Sequence, residues 1–116
     1  MSKFVINRGM ENEFIITIKQ TGTTLPMEIS GTDMFECRLL NKSDGTVVTE
    51  LPVSIENAQN GKIKIVVSEM IANGLKWEFG EKPDGYYPKA GYKLFIDCNT
   101  VNNGKFVAKI NKVYVE

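Results

Sequence analysis

The sequence predicts an all-β domain: an antiparallel, immunoglobulin-like β-sandwich with about seven to nine strands and one short helix. Apolar residues recur at every second position through most of the chain, which is the period of a strand with one buried face. Turn-forming Gly, Asn and Asp residues separate these stretches every 8 to 12 residues or so, a spacing typical of sandwiches and barrels. A length of 116 residues indicates a single domain, spanning 1–116.

The first half of the chain supplies five predicted strands, rich in β-branched and aromatic residues. They cover residues 3–7, 13–20, 33–40, 47–51 and a short edge piece at 53–56. Between the second and third, residues 25–31 predict an irregular apolar connector because Pro26 and Gly31 bracket them. Asp44-Gly45 predicts a tight hairpin turn between the third and fourth strands.

The second half begins with a predicted strand at 62–67, after which the apolar residues no longer alternate with period two. Ser68 is a favourable helix N-cap and Asn73-Gly74 a helix stop, so residues 68–74 predict a short helix. Residues 75–79 predict a short strand with its three apolar residues on one face, and residues 80–90 predict the longest loop.

The last third, residues 91–116, predicts the hairpin that closes the core. Alternation places four residues of its first arm on one face: Tyr92, Leu94, Ile96 and Cys98. In the second arm the apolar phase changes across Asn111-Lys112, which predicts a β-bulge there.

Composition limits the functions open to the chain. Fourteen Lys and Arg residues balance 14 Asp and Glu residues, mostly interleaved, so nucleic-acid binding is disfavoured. No apolar run approaches the roughly 18 residues of a membrane span, and residues 1–7 are too short and polar for a secretory signal. We therefore expect synthesis in a cytoplasm.

The chemistry of an enzyme is not visible in the sequence. Histidine, the commonest general base and metal ligand, does not occur, and no Ser stands in a Gly-x-Ser-x-Gly frame. The carboxylate candidates Glu36 and Asp97 point away from the core face by alternation. Asp44-Gly45 and Asp84-Gly85 could begin calcium loops, but turn formation is the better interpretation. We expect no enzyme, no cofactor and no metal.

Cys37 and Cys98 allow two interpretations. Their separation suits an immunoglobulin-type disulfide between facing sheets. The alternative is a pair of buried thiols acting as small apolar side chains, which a reducing cytoplasm favours.

Aromatic residues cluster near the long loop. Trp77, Tyr86 and Tyr87 form a candidate contact with a partner protein or a glycan, with the two tyrosines the best candidates for exposure. In the alternative interpretation these residues pack the loop, and Trp77 and Tyr92 point into the core.

Several sequence segments, taken in their order along the chain, resemble those of a known family. They are Arg8-Gly9 followed by Phe14 to Ile18, the connector Leu25 to Gly31 leading into Phe35 to Leu39, Asn60 to Ile65, and Lys89 to Leu94. This order resembles the N-terminal domain of the phage baseplate upper protein and related β-sandwich modules of phage tails and fibres. The chain departs from the pattern in a longer insert at 75–88.

The resemblance implies a structural or adaptor protein of a bacteriophage virion, in the tail, baseplate or fibre, located in the virion and made in the host cytoplasm. It would act by protein–protein assembly with other virion proteins or copies of itself, and the family has no catalytic residues to transfer. Residues 4–7 are expected to be an edge or donor strand, so deleting 1–8 should abolish assembly and leave the fold. The alternative function is a carbohydrate-binding module that takes a host-surface glycan on Trp77, Tyr86 and Tyr87.

Overall fold

The computed structural model describes residues 4–19, 25–101 and 104–116. Within these ranges the chain forms ten strands and one helix. In chain order the elements are β1 (Phe4–Ile6), β2 (Asn12–Thr17), β3 (Met34–Asn41), β4 (Val47–Leu51), β5 (Val53–Asn57), β6 (Lys62–Val67), α1 (Glu69–Gly74), β7 (Glu78–Lys82), β8 (Gly85–Lys89), β9 (Tyr92–Thr100) and β10 (Gly104–Val115).

Eight strands form the two sheets of a sandwich. One sheet has the order β1-β10-β9-β3-β4 and the other the order β2-β6-β5. All pairs are antiparallel except β1 with β10, which is parallel. This division matches an immunoglobulin sandwich, in which strands B, E and D face strands C, F and G with an added C′. The predicted fold class is confirmed.

A single apolar core lies between the two sheets. Its least exposed members come from both sheets: Ile6, Leu39, Ile63, Ile65, Val67, Leu94, Ile96 and Val113 are all at 0%. The predicted inward face of β9 is confirmed, since Tyr92 and Cys98 are buried together with Leu94 and Ile96. Burying each large aliphatic side chain contributes about 1.5–3 kcal/mol, so this alternation is the main stabilising term.

The predicted bulge in β10 is confirmed. Its register against β9 shifts between Ile110 and Val113, across the two polar residues at which the apolar phase changes. The extra residue lets Ile110 on one side of the bulge and Val113 on the other both pack against the core.

The helix also begins and ends as predicted. The Ser68 hydroxyl oxygen accepts a hydrogen bond from Ile71 N at 3.2 Å, which caps the first turn. Leu75 N donates to Ala72 O at 3.2 Å and closes the last turn. Ala72 is fully buried, so α1 is fixed to the core on one side.

Two buried polar side chains fix the crossings between sheets. Asn12 accepts from Asn7 N at 2.9 Å and donates to Asn7 O at 2.8 Å and Met10 O at 3.0 Å, which locks the turn from β1 to β2. The Asp33 carboxylate accepts from Ser30 N at 2.8 Å and Val101 N at 2.9 Å. It thereby ties the irregular connector to the β9–β10 turn.

The predictions for residues 75–90 were wrong in detail. The strand begins at Glu78 rather than at residue 75, and the predicted loop contains the end of β7 and all of β8. Pro83-Asp84 makes a two-residue turn that folds these strands into a hairpin, which raises the strand number to ten. The predicted turn at 21–24, together with residues 3, 20 and 102–103, lies outside the described residues.

The N-terminal strand lies at a sheet edge, as one of its two predicted roles requires, and the donor role stays a prediction. β1 is an edge strand, but it pairs with β10 of its own chain and places Ile6 in the core. Arg8 N donates to Glu116 O at 2.7 Å, and Glu116 N donates to Ile6 O at 2.9 Å. Deleting residues 1–8 would remove part of the core, so we no longer expect the fold to survive it.

Cys37 and Cys98 are free, buried thiols. They lie on adjacent strands of one sheet, where Cys37 pairs with Ile96 and Cys98 with Phe35. A disulfide between facing sheets is therefore wrong, and the interpretation as small apolar side chains is confirmed. Burial raises the pKa of Cys37 to about 12 and that of Cys98 to about 11.

These pKa values predict a loss of stability at alkaline pH. Above pH 9.0 or so the thiols of the unfolded chain ionise, whereas the folded chain keeps both protons until about pH 11 to 12. The unfolded state then binds fewer protons, so the free energy of unfolding falls as pH rises through this window. Urea unfolding in reductant between pH 8 and pH 10.5, roughly, measures the slope.

A variant with Cys37→Ala and Cys98→Ala is the control for this slope. It differs from the wild type only in the two thiols, so its slope should be shallower by the thiol contribution alone. Equal slopes for the two proteins would contradict the prediction.

Candidate functional site

The β7–β8 hairpin stands apart from the core. Its strands form a two-stranded sheet of their own, and every residue of β8 is exposed. Phe79, Tyr86 and Tyr87 expose 55%, 70% and 44% of their surface. A two-stranded hairpin gains little stability by itself in water, so large exposed aromatic rings on one indicate a contact surface.

The base of the hairpin is firmly anchored. Leu75 is buried, and the Tyr92 hydroxyl in the core accepts a hydrogen bond from Lys76 N at 2.9 Å. The hairpin therefore leaves the sandwich from a fixed point three residues before β7.

Register divides the hairpin residues between two faces. Phe79 lies opposite Pro88 and Glu81 opposite Tyr86, and these four residues share one face. Tyr87 lies on the other face, opposite Gly80. The two tyrosines that the sequence singled out thus point in opposite directions, and it is Phe79 that shares a face with Tyr86.

Gly80 and Tyr87 form a close contact. A Cβ atom added to Gly80 would overlap the Tyr87 ring, which lies directly on the glycine backbone. Such a ring covers the bare backbone of a strand glycine and helps to fix the register.

Trp77 is 53% exposed, so the interpretation that placed it in the core is wrong, whereas Tyr92 is buried as that interpretation expected. The Arg8 guanidinium carbon lies 4.8 Å from the centre of the Trp77 ring, a cation–π contact. Arg8 Nη2 also donates to Asn73 O at 2.9 Å, and Gly9 N donates to Asn73 Oδ1 at 2.7 Å. These bonds hold the turn after β1 against the end of α1.

A polar groove of about 490 Å³ lies between the base of the hairpin and the β3–β4 turn. Its charged lining residues are Lys42, Asp44, Lys76, Glu78 and Lys89. None of the exposed aromatic residues lines it. The concave polar space and the exposed rings are therefore separate features of the surface.

Glu36 and Asp97 lie opposite each other on the outer face of the five-stranded sheet, as alternation predicted. They line a groove of about 440 Å³ that also includes the exposed Met34 and Val107. Asp97 forms an ion pair with Arg38 at 2.9 Å. A glycosidase places its acid in an apolar pocket, whereas Glu36 faces solvent here.

Asp44 acts as a turn residue. Its Oδ1 accepts from Thr46 N at 3.0 Å and from the Thr46 hydroxyl at 2.7 Å. The hydrogen bond from the Thr46 backbone, with that from its hydroxyl, lowers the pKa of the Asp44 carboxyl. Asp84 lies in the β7–β8 turn.

The described part of the chain has no group of three or more carboxylate, thiol or imidazole side chains placed to hold a metal. No helix among the described residues is long and apolar enough to cross a membrane.

Comparisons with known proteins place the chain in no family. No family model matches it, and a search of curated proteins finds no significant match.

Proposed function

We propose that this chain is a structural or adaptor component of a bacteriophage particle, in the tail, baseplate or fibre, and acts by protein–protein assembly. The observation that carries the assembly role is the β7–β8 hairpin, which forms a separate sheet with its aromatic residues exposed. No step of this function requires a cofactor or a reaction.

The hairpin has the composition of an interface anchor. Tyr and Trp residues in the centre of an interface carry much of its binding energy, and Phe is enriched there as well. Because Leu75 is buried and Lys76 N is bonded to the Tyr92 hydroxyl, the base of the hairpin is fixed, which limits the directions in which the hairpin presents its rings. A second candidate contact is the outer edge of β7, which no other described strand covers and which another chain can extend.

The assignment to a phage particle is supported by the resemblance of the sequence to the N-terminal domain of the phage baseplate upper protein. The insert that departs from that pattern, residues 75–88, is the segment that builds most of the hairpin. We infer that the insert is an added contact element on a common sandwich.

A carbohydrate-binding module is the competing function. Sugar sites combine aromatic rings with polar groups in one concave pocket. Here Tyr86 and Tyr87 lie on opposite faces of the hairpin, and neither lines the polar groove beside it. Assembly is therefore the better proposal, and glycan binding is an outcome of its test.

The test is incorporation into particles. In the source organism, with its own gene deleted, the chain is supplied as wild type or as Phe79→Ser/Tyr86→Ser, and gradient-purified particles are analysed by quantitative mass spectrometry. We expect the wild type in the particles and the variant reduced about tenfold or more, because two interface anchors are lost.

Ile15→Ser/Met34→Ser is the matched control, since these residues are 56% and 63% exposed but lie elsewhere on the sandwich. Its incorporation should equal that of the wild type. If the wild-type chain does not occur in purified particles, the proposal is wrong. Binding on a glycan array that disappears in Tyr86→Ala/Tyr87→Ala would support the carbohydrate module instead.

A further inference from the structure

The open edge of β7 has a full set of hydrogen-bonding groups. In an antiparallel pair, residues that exchange backbone hydrogen bonds alternate with residues whose N–H and C=O groups point outward. The two-residue turn Pro83-Asp84 is closed by the bonded pair Lys82 and Gly85. The pairs of the hairpin alternate from there, so Glu81 and Phe79 belong to non-bonded pairs. Their N–H and C=O groups point away from β8, towards an edge that no other described strand covers.

The open edge of β8 is different. The same count directs the backbone groups of Tyr86 and Pro88 outward. Pro88 has no N–H, so this edge lacks a donor in the middle of the strand. Proline on an edge strand is a common protection against the addition of another strand. Of the two hairpin edges, the β7 edge is therefore the one suited to pairing.

We propose that the β7 edge pairs antiparallel with the β7 edge of a second copy of this chain, with Gly80 on the two-fold axis. The inference rests on the proposed assembly role and names the partner at this edge. The two hairpins become one four-stranded sheet that joins two sandwiches. The contact is isologous, because the β7 edge of one copy pairs with the same edge of the other.

The sequence of β7 selects this register. Phe79 of each copy pairs with Glu81 of the other. Each of these two pairs exchanges two backbone hydrogen bonds, which gives four in all. The same register aligns Glu78 with position 82 of the second copy, so an acidic residue is paired in sequence with a basic one at both ends. Aligning the two Glu81 residues would oppose like charges, and aligning the two Phe79 residues would leave Glu81 without a strand residue opposite.

Glycine suits the position on the axis. The two Gly80 residues would form a non-bonded pair, in which the Cα atoms approach to about 4.5 Å. The Tyr87 ring of each chain already lies on its own Gly80. Pairing therefore brings the two tyrosine rings together on one face of the new sheet, where offset ring contacts are favourable.

The contact is small, so the dimer is weak. Stable complexes bury about 1,600 Å², more than two five-residue strands and two rings can supply. We expect a dimer that forms in free solution only at high concentration and is strengthened where many copies are held close together, as in a particle.

Sedimentation velocity from about 5 µM to about 1 mM measures the association, and proline substitutions test the edge. Glu81→Pro removes an outward N–H without removing a hairpin bond, and should raise the dissociation constant about tenfold or more. Pro88→Ala instead restores the outward N–H of the β8 edge and should not weaken dimerisation through β7. Circular dichroism confirms that both variants remain folded.

Cross-linking tests the register. Glu78→Cys and Lys82→Cys are purified separately, mixed and oxidised; because Glu78 is aligned with position 82 of the other copy, only the mixture should give a disulfide-linked dimer. The native Cys37 and Cys98 are buried and should not compete. A cross-link in either cysteine variant alone would overturn the register, and an equal loss of dimerisation in Glu81→Pro and Pro88→Ala would overturn the choice of the β7 edge.

A chain that stays monomeric to about 1 mM would overturn the self-pairing. If it is nevertheless found in purified particles, the proposed function stands and another protein occupies the edge. If it dimerises as described but is missing from particles, the pairing stands and the virion role is wrong.

Discussion

Replacing Gly61 with alanine is expected to destabilise the domain by about 2–5 kcal/mol, a large part of the stability of a small domain. Gly61 has a φ of +66°, where an L-residue is strained by about 1–2 kcal/mol. In addition, an added Cβ would overlap Met27 O and lie 2.8 Å from Ile18 O. Both atoms are backbone, so neither can move aside without shifting its segment.

The surrounding hydrogen bonds show what would have to move. Gly61 O accepts from Ile18 N at 2.8 Å, and Met27 N donates to Ile18 O at 2.8 Å. Ile18 and Met27 are themselves buried in the core. Relieving the overlap therefore requires either breaking these bonds or displacing two core side chains.

Urea unfolding measures the loss, and Gly104→Ala is the control that separates strain from overlap. Gly104 has a φ of +70°, but no described residue other than its chain neighbour lies within 4 Å of its Cβ position, so its substitution should cost only about 1–2 kcal/mol. Similar losses for the two variants would contradict the steric explanation.

Gly61 illustrates the difference between local features, which the sequence predicts, and contacts between distant segments, which it does not. Asn60-Gly61 correctly predicts a turn, because turn chemistry is local. The close approach of Ile18 and Met27 depends on how two distant segments meet, and no local pattern encodes it. The same holds for the cysteines: alternation correctly buries both, but their separation in sequence does not reveal that their strands are neighbours in one sheet.

The candidate site was predictable only in part, for a related reason. A strand is recognised by apolar residues on one buried face, and the hairpin buries neither face, so β8 lacks the alternation that reveals β9. The exposure of Tyr86 and Tyr87 could be foreseen from the Gly- and Pro-rich stretch around them. Phe79 carried a weak signal through its spacing from Trp77, whereas nothing in the sequence links Arg8 to that ring.

Ile6→Ala is expected to cost about 2–5 kcal/mol, because Ile6 is fully buried between the sheets and the cavity would be lined by close-packed core residues. Deleting residues 1–8 should cost more, since it also removes the parallel pairing with β10 and the Phe4 ring, whose centre lies 4.2 Å from that of Phe14. Thermal and urea unfolding of both variants measure the effect.

Val5→Ala is the matched control on the same strand. Val5 is only half-buried, and alternation directs it to the opposite side of the sheet from Ile6, so its truncation should cost about 1 kcal/mol or less. If the deletion variant unfolds at the same urea concentration as the wild type, β1 does not contribute to the core. In that case residues 1–8 would be free to act as a donor strand. If it is unfolded, loss of assembly in that variant reports only the loss of the fold, and the hairpin substitutions become the decisive test of assembly.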